Sequence, residues 1–261
     1  MPKSFLLLAS YRSGSTWFVD VLNHVEGTAA FSELFSAPEK QAGTQDLTSD
    51  QANKTTQYLD QTIRAYPHYY QAAENRKIRP FSTFSYLDTF YRQEGTIGFK
   101  LMYTQLARHP EIWAYCRFRG ISILHLVRRN HLDVIISREM RKATRTTHRV
   151  AGAEEMKPVQ VTLEPETLIK QMSSLQRNID LARRLIKVSR VHSLEVIYED
   201  LTRNSSCFEP VWAFLQINPQ NVEPQSQLVK LVRVGYSESI ANYDEVRKAL
   251  QGTEFEHLLE G

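Results

Sequence analysis

Three groups of residues in this 261-residue chain have types and spacings suited to chemistry on an anion. The first is Ala9-Ser-Tyr-Arg12-Ser13-Gly14-Ser15-Thr16-Trp17, directly after the apolar run from Phe5 to Ala9. It follows the nucleotide P-loop pattern G-x-x-x-x-G-K-[ST], with Ala9 for the first glycine and Ser15 for the lysine. Backbone amides at the start of a following helix, with the Ser13, Ser15 and Thr16 hydroxyls, cradle a phosphate at the positive end of the helix dipole. The lysine that reaches β and γ phosphates is absent, so the loop argues against ATP or GTP and suits a nucleotide with one 5′ phosphate. Arg12 is the cation placed to contact a transferred group and its bridging oxygen. A serine-rich turn whose hydroxyl caps a helix is the plainer reading of the same segment.

The second group is Arg128-Arg129-Asn-His-Leu-Asp-Val-Ile-Ile-Ser137, at the end of the apolar run from Ile121 to Val127. It enters a helix whose Leu132, Ile135 and Ile136 face inward. The third is Arg138, Arg141, Lys142, Arg145 and Arg149, at steps of three, one, three and four, which places a basic face on that helix beyond Ser137. Such a face attracts an anionic acceptor or cofactor, or is simply solvated.

Two of these segments together resemble the sulfotransferases that use 3′-phosphoadenosine 5′-phosphosulfate (PAPS). Arg12-Ser-Gly-Ser-Thr-Trp17 is similar to the family's first signature, a basic residue followed by Ser-Gly-Ser/Thr-Thr, in the Arg form of many carbohydrate, tyrosylprotein and bacterial members. Arg129 and Ser137 match the spacing of its 3′-phosphate motif, and Asn130, Asp133 and Val134 look like cytosolic members. The motif has a physical basis: an Arg fork and a hydroxyl converge on a dianionic phosphate, and charged hydrogen bonds are worth about 1.5–3 kcal/mol each. Tyr198-Glu-Asp-Leu201 and the segment from Ile240 to Val246 also resemble family segments, and the likeness covers essentially the whole chain. The family's Arg-Lys-Gly-x-x-Gly clamp is reduced to Arg233-Val-Gly235, with Lys230 nearby.

The resemblance implies a P-loop-like, three-layer α/β fold with a central parallel sheet, and transfer of a sulfuryl group from PAPS to a hydroxyl, less often an amine, without a metal. The product is 3′,5′-bisphosphoadenosine (PAP). Arg12, Ser13, Gly14, Ser15, Thr16, Trp17, Arg129, Ser137 and Arg233 are the implied cofactor-binding residues. Cytosolic members use a His after the middle strand, and Ile97-Gly-Phe-Lys100-Leu-Met102 has none. Other branches use a carboxylate after the first helix, which Phe31-Ser-Glu33-Leu-Phe35 resembles, so Glu33 is the implied base. Phe31 and Phe35 would desolvate it. Lys100 is placed to hold the sulfonate or acceptor, or to be a structural lysine. The partner is a small-molecule, glycan or lipid hydroxyl, not nucleic acid. The competing readings are a P-loop-type small-molecule or nucleoside kinase and a non-catalytic anion-binding protein.

The elements that must position these residues are legible as short apolar runs: Phe5 to Ala9, Thr96 to Phe99, Ile121 to Val127 and Leu194 to Tyr198, separated by stretches long enough for helical crossovers. Helices are expected over 16–25, 50–65 and 165–189, the last with Leu168, Met172, Leu175, Ile179, Ala182 and Ile186 as its buried stripe. Long polar loops are expected over 32–49 and 146–164. Parallel α/β is the economical fold, in one domain over 1–261. The aromatics Tyr66, Tyr69, Tyr70, Phe81, Phe84, Tyr86, Phe90 and Tyr91 either wall an acceptor pocket or fill core. His125 reads as a satisfied core residue, and His24 and His131 receive no role. A formal net charge of +3 is too slight for a general polyanion binder, so any anion site is local. Cys116 and Cys207 lack metal or redox spacing, and no apolar run approaches ~18 residues, so a reduced, soluble, cytoplasmic protein is expected.

Overall fold

The computed structural model describes residues 3–36, 66, 78–144, 149–150, 160–218, 228–229 and 235–260. The expected helix at 50–65, most of both expected polar loops, and Tyr69, Tyr70, Arg145, Lys230 and Arg233 lie outside them.

Ser4–Ala9 forms strand β1, in which Phe5 to Ala9 are all fully buried. Continuous burial on both faces explains why this run does not alternate. Parallel partners lie on either side: β3 (Thr96–Met102) and β4 (Ser122–Val127). Strands β2 (Thr28–Phe31) and β5 (Ser193–Ile197) complete a five-stranded, all-parallel sheet in the order β2-β3-β1-β4-β5. Gly98 permits the close β1–β3 contact, because a Cβ there would stand 2.5 Å from the Phe5 ring.

Helices cover both faces, so the fold is α/β, as expected. On one face Phe5, Leu7 and Ala9 pack with Phe18 and Leu22 of α1 (Ser15–Asn23) and with Val211, Trp212 and Leu215 from the segment Glu209–Leu215. On the other, Leu6, Leu8 and Phe99 meet α2 (Phe81–Phe90), the short helix α3 (Tyr103–Arg108) and α4 (Glu111–Arg119). A third apolar cluster joins α5 (His131–Thr144) to α6 (Pro165–Ser189) and the C-terminal segment. Helix α6 has the predicted bounds, with Leu168, Met172, Leu175, Ile179 and Ala182 buried. Phe84, Tyr86, Phe90 and Tyr91 are core packing and Phe81 is exposed. Two expectations are corrected. Tyr198 opens a helix (Tyr198–Arg203) rather than ending a strand. The basic face also does not run on to Arg149, because α5 ends at Thr144 and Arg149 lies in a two-residue strand paired with Leu228–Val229.

His125 is satisfied in the core, as expected, by a polar chain across the sheet. The Tyr103 hydroxyl lies 2.7 Å from His125 Nε2, and Nδ1 lies 3.1 Å from Glu195 Oε2. Arg183 then donates to both Glu195 oxygens at 2.8 Å. Arg183, with His125 behind it, holds the Glu195 carboxyl down to about 2 from its ordinary 4.5. A carboxyl depressed by folding adds stability that is complete above its unfolded value and is lost as pH falls through its folded one. The melting temperature should therefore drop between pH 4.5 and 2 more steeply in the native protein than in Glu195→Gln. Parallel melting curves across that range would show that the pair adds nothing to folding.

Candidate active site

Every described residue singled out for chemistry sits at the carboxyl ends of the strands or on the segments leaving them. The chain leaves β1 toward β2 and β3, then leaves β4 toward β5 on the opposite side. The crevice between β1 and β4 is thus the switch point of the sheet, where open α/β folds bind ligands.

The β1 loop enters α1 through Gly14, which lies in the left-handed region at φ 83° and occupies the N-cap position. A Cβ on Gly14 would stand 2.1 Å from the Tyr198 ring, so position 14 takes glycine for both conformation and space. Gly14 supplies no side-chain cap, and among the described residues no side chain accepts from the amides of the first turn of α1. Ser13 is fully buried and donates to the Ser10 carbonyl at 2.8 Å, bracing the loop, and Ser15 is buried beside it. Trp17 meets the edges of Tyr198 and Phe208 at 5.7 and 5.8 Å.

Arg12 also adopts a left-handed conformation, at φ 56°, which costs an ordinary residue about 1–2 kcal/mol. Contacts with Ser137 and Arg128 help to hold it there. Arg12 Nε donates to Ser137 Oγ on α5 at 2.9 Å, and the Arg12 carbonyl accepts from Arg128 Nη1 at 3.2 Å. Arg128 also pairs with Asp133 at 2.7 Å and lies 4.8 Å over the Tyr198 ring. Burial, then the charges of Arg141 and Arg128, push the Arg12 guanidinium below its ordinary value.

The cation missing from the loop sequence arrives from β3. Lys100 is 5% exposed, and its Nζ donates to Thr16 Oγ1 at 3.3 Å while lying 3.3 Å from Glu33 Oε1. Burial lowers its proton affinity, Glu33 opposes that shift, and Arg12 and Arg141 add to it. Glu33 follows β2, and its Oε2 accepts from Gln105 Nε2 at 2.8 Å and Ser36 Oγ at 3.0 Å. Gln105 is itself fixed, since its Oε1 accepts from the Met102 amide at 3.0 Å. Sequence reasoning placed Glu33 between two phenylalanines and missed these polar donors, because a neutral amide about 70 residues away gives no spacing signal.

Arg129 and Ser137 do not meet directly. Ser137 Oγ is engaged by Arg12, whereas the Arg129 side chain is exposed, with no partner among the described residues. Arg129 precedes the helix, which begins at His131, and Ser137 lies nearly two turns into it. Glu199 accepts from the Arg129 and Asn130 amides at 3.1 and 3.0 Å, so these donors at the start of α5 are already used. Asn130 accepts from the Asp133 amide and donates to the Tyr236 hydroxyl, which in turn donates to Asp133. His131 is buried, which lowers its proton affinity, and His24 contacts the Asp20 carbonyl at 2.8 Å. Among the described residues no cluster of three or more His, Cys, Asp or Glu is arranged to hold a metal, and no helix is long and apolar enough to cross a membrane.

Neither family models nor curated proteins match the chain. Among solved structures it is similar to the sulfotransferase domain from the curacin biosynthetic pathway, at 13% identity and a TM-score of 0.41, covering 96% of each chain. It is also similar to an unliganded sugar kinase from a Janibacter species, at 14% identity and a TM-score of 0.36, covering 84% of this chain and 97% of that one. Both TM-scores fall below 0.5, so the chemistry of the site rests on its own residues and distances.

The Gly14 geometry makes a direct prediction. Gly14→Ala must place a methyl against the Tyr198 ring in a left-handed conformation, and should destabilise the protein by at least about 2 kcal/mol in urea unfolding. An unchanged midpoint would show that the loop accepts a side chain there.

Proposed function

We propose that the protein is a PAPS-dependent sulfotransferase acting on a hydroxyl acceptor. One observation carries this reading: Lys100 bridges Thr16 of the anion loop and Glu33, joining a phosphate cradle to a carboxylate positioned as a base. The first-turn amides of α1, the Ser-Gly-Ser-Thr loop and the cations around it suit a phosphate-bearing donor in type and charge. The exposed Arg129 arm is free to take a 3′-phosphate, and Arg233 is a second candidate for that role.

Bound PAPS would supply a sulfuryl group activated by its phosphate leaving group. Arg12 stands at the loop, where its charge offsets the charge growing on that phosphate in the transition state. Glu33 removes the acceptor proton, and the lone pairs indicate which atom does so. Oε2 already accepts two hydrogen bonds, whereas among the described residues Oε1 accepts from Lys100 alone. The proton therefore goes to Oε1. Ser36 and Gln105 fix the carboxylate plane, and Lys100 holds the base against the loop so that acceptor and donor meet in line.

The kinase reading requires carboxylates free to hold magnesium near the phosphates. Asp133 is paired with Arg128, and Glu33 with Lys100. Two carboxylates beside the crevice are thus committed to cations and a third, Glu199, to the Arg129 and Asn130 amides, which favours a donor that needs no metal.

The test is transfer of labelled sulfate from PAPS to pooled metabolites, glycans and lipids. With the pool that accepts label, Glu33→Gln should bind PAP normally and turn over at least ~100-fold more slowly, the lower end of what a positioned base contributes. Near-native turnover by Glu33→Gln would assign the base elsewhere.

A further inference from the structure

The basic residues at the end of α5 are not equivalent. Arg138 donates to Glu139 at 2.9 Å, to Gln171, and to the Tyr11 hydroxyl at 3.5 Å. Lys142 reaches both Glu139 oxygens at 2.9 Å. Arg141, between them in sequence, is exposed and has no ion pair or hydrogen bond among the described residues. It lies one turn beyond Ser137 on the same helix face, and Ser137 Oγ holds Arg12 Nε at 2.9 Å. Helical side chains lean back toward the N-terminus, which aims Arg141 over the turn carrying Ser137, whose hydroxyl holds Arg12. Its charge acts on Arg12 and on Lys100 together.

Arg12, Lys100 and Arg141 thus gather with Arg128 around the β1 loop, with Glu33 paired to Lys100 and Asp133 to Arg128. Like charges repel at this range, and the arrangement is favourable when an anion joins them. Arg129 precedes α5, and Arg141 lies ten residues into it from His131, about 15 Å of helix rise. It therefore stands toward the far end of α5 from the Arg129 arm, on the turn beyond the Ser137 that holds Arg12.

We propose that Arg141 binds the sulfonate of the donor, its guanidinium fork donating to the nonbridging oxygens opposite Arg12. This rests on the sulfotransferase reading and assigns the basic face one working residue, Arg141, beside two that are structurally paired.

Calorimetric titration separates the end groups without needing the acceptor. The two probes are PAP, which lacks the sulfonate, and a PAPS analogue whose bridging oxygen between phosphorus and sulfur is a methylene, which cannot transfer. Arg141→Gln should weaken the analogue about 10-fold to 100-fold, the loss of one charged hydrogen-bonding partner, with PAP affinity unchanged. Arg141→Lys, which keeps the charge and loses the fork, should lose less. Lys142→Gln, with circular dichroism as the check on folding for all three, should match the native protein for both ligands. Equal loss for both ligands would assign Arg141 to the phosphates, and no loss would remove it from the site; either result overturns the proposal. If the native protein binds neither ligand, the sulfotransferase reading fails first and takes this inference with it.

Discussion

Lys100 puts an ammonium under the first turn of α1, 5% exposed, on the sheet face lined by Phe5, Leu7 and Ala9. A buried charge is tolerated only when it is paired and hydrogen-bonded. The protein meets that demand with Thr16 from the β1 loop and Glu33 from the end of β2. Three strand ends are tied at one atom as a result. Glu33 needs further donors to hold its plane, and Gln105 and Ser36 supply them.

The neighbouring crevice between β1 and β4 is organised by strain and its compensation. Arg12 and Gly14 are both left-handed, and the Tyr198 ring closes over Gly14. Arg12 keeps that conformation because Ser137 on α5 holds its side chain and Arg128, just after β4, holds its carbonyl. Arg128, fixed by Asp133 and stacked on Tyr198, is scaffold; Arg129, the next residue, turns outward and stays available.

The parts of the fold visible in sequence are those with strong local patterns. The buried runs gave β1 and β4, and the steps of three and four gave α6 to the residue. Thr28–Phe31 escaped notice because four residues with two alanines carry little strand signal; pairing with β3 makes it a strand. Arg12, Lys100, Glu33 and Ser137 do converge, and the loop motif and the Arg-to-Ser spacing pointed at two of their elements, the β1 loop and α5. Their pairing was not legible. Ser137 was expected beside Arg129 and instead holds Arg12, since which of two cations a helix hydroxyl meets depends on the strained loop opposite. Gln105, Ser36 and Glu199 were missed because neutral or scaffold residues acquire a role only through long-range packing. The basic face was overextended because periodicity carried on past the point where α5 ends at Thr144.

The most direct measurement of the central claim, that the β1–β4 crevice binds a 3′-phosphorylated adenine nucleotide, is thermal unfolding with PAP compared against ATP with magnesium. A ligand at ~100 times its dissociation constant adds about 2.7 kcal/mol to stability. The account predicts a rise in melting temperature with PAP that magnesium does not alter, and little or none with ATP. Stabilisation by ATP with magnesium and not by PAP would contradict it.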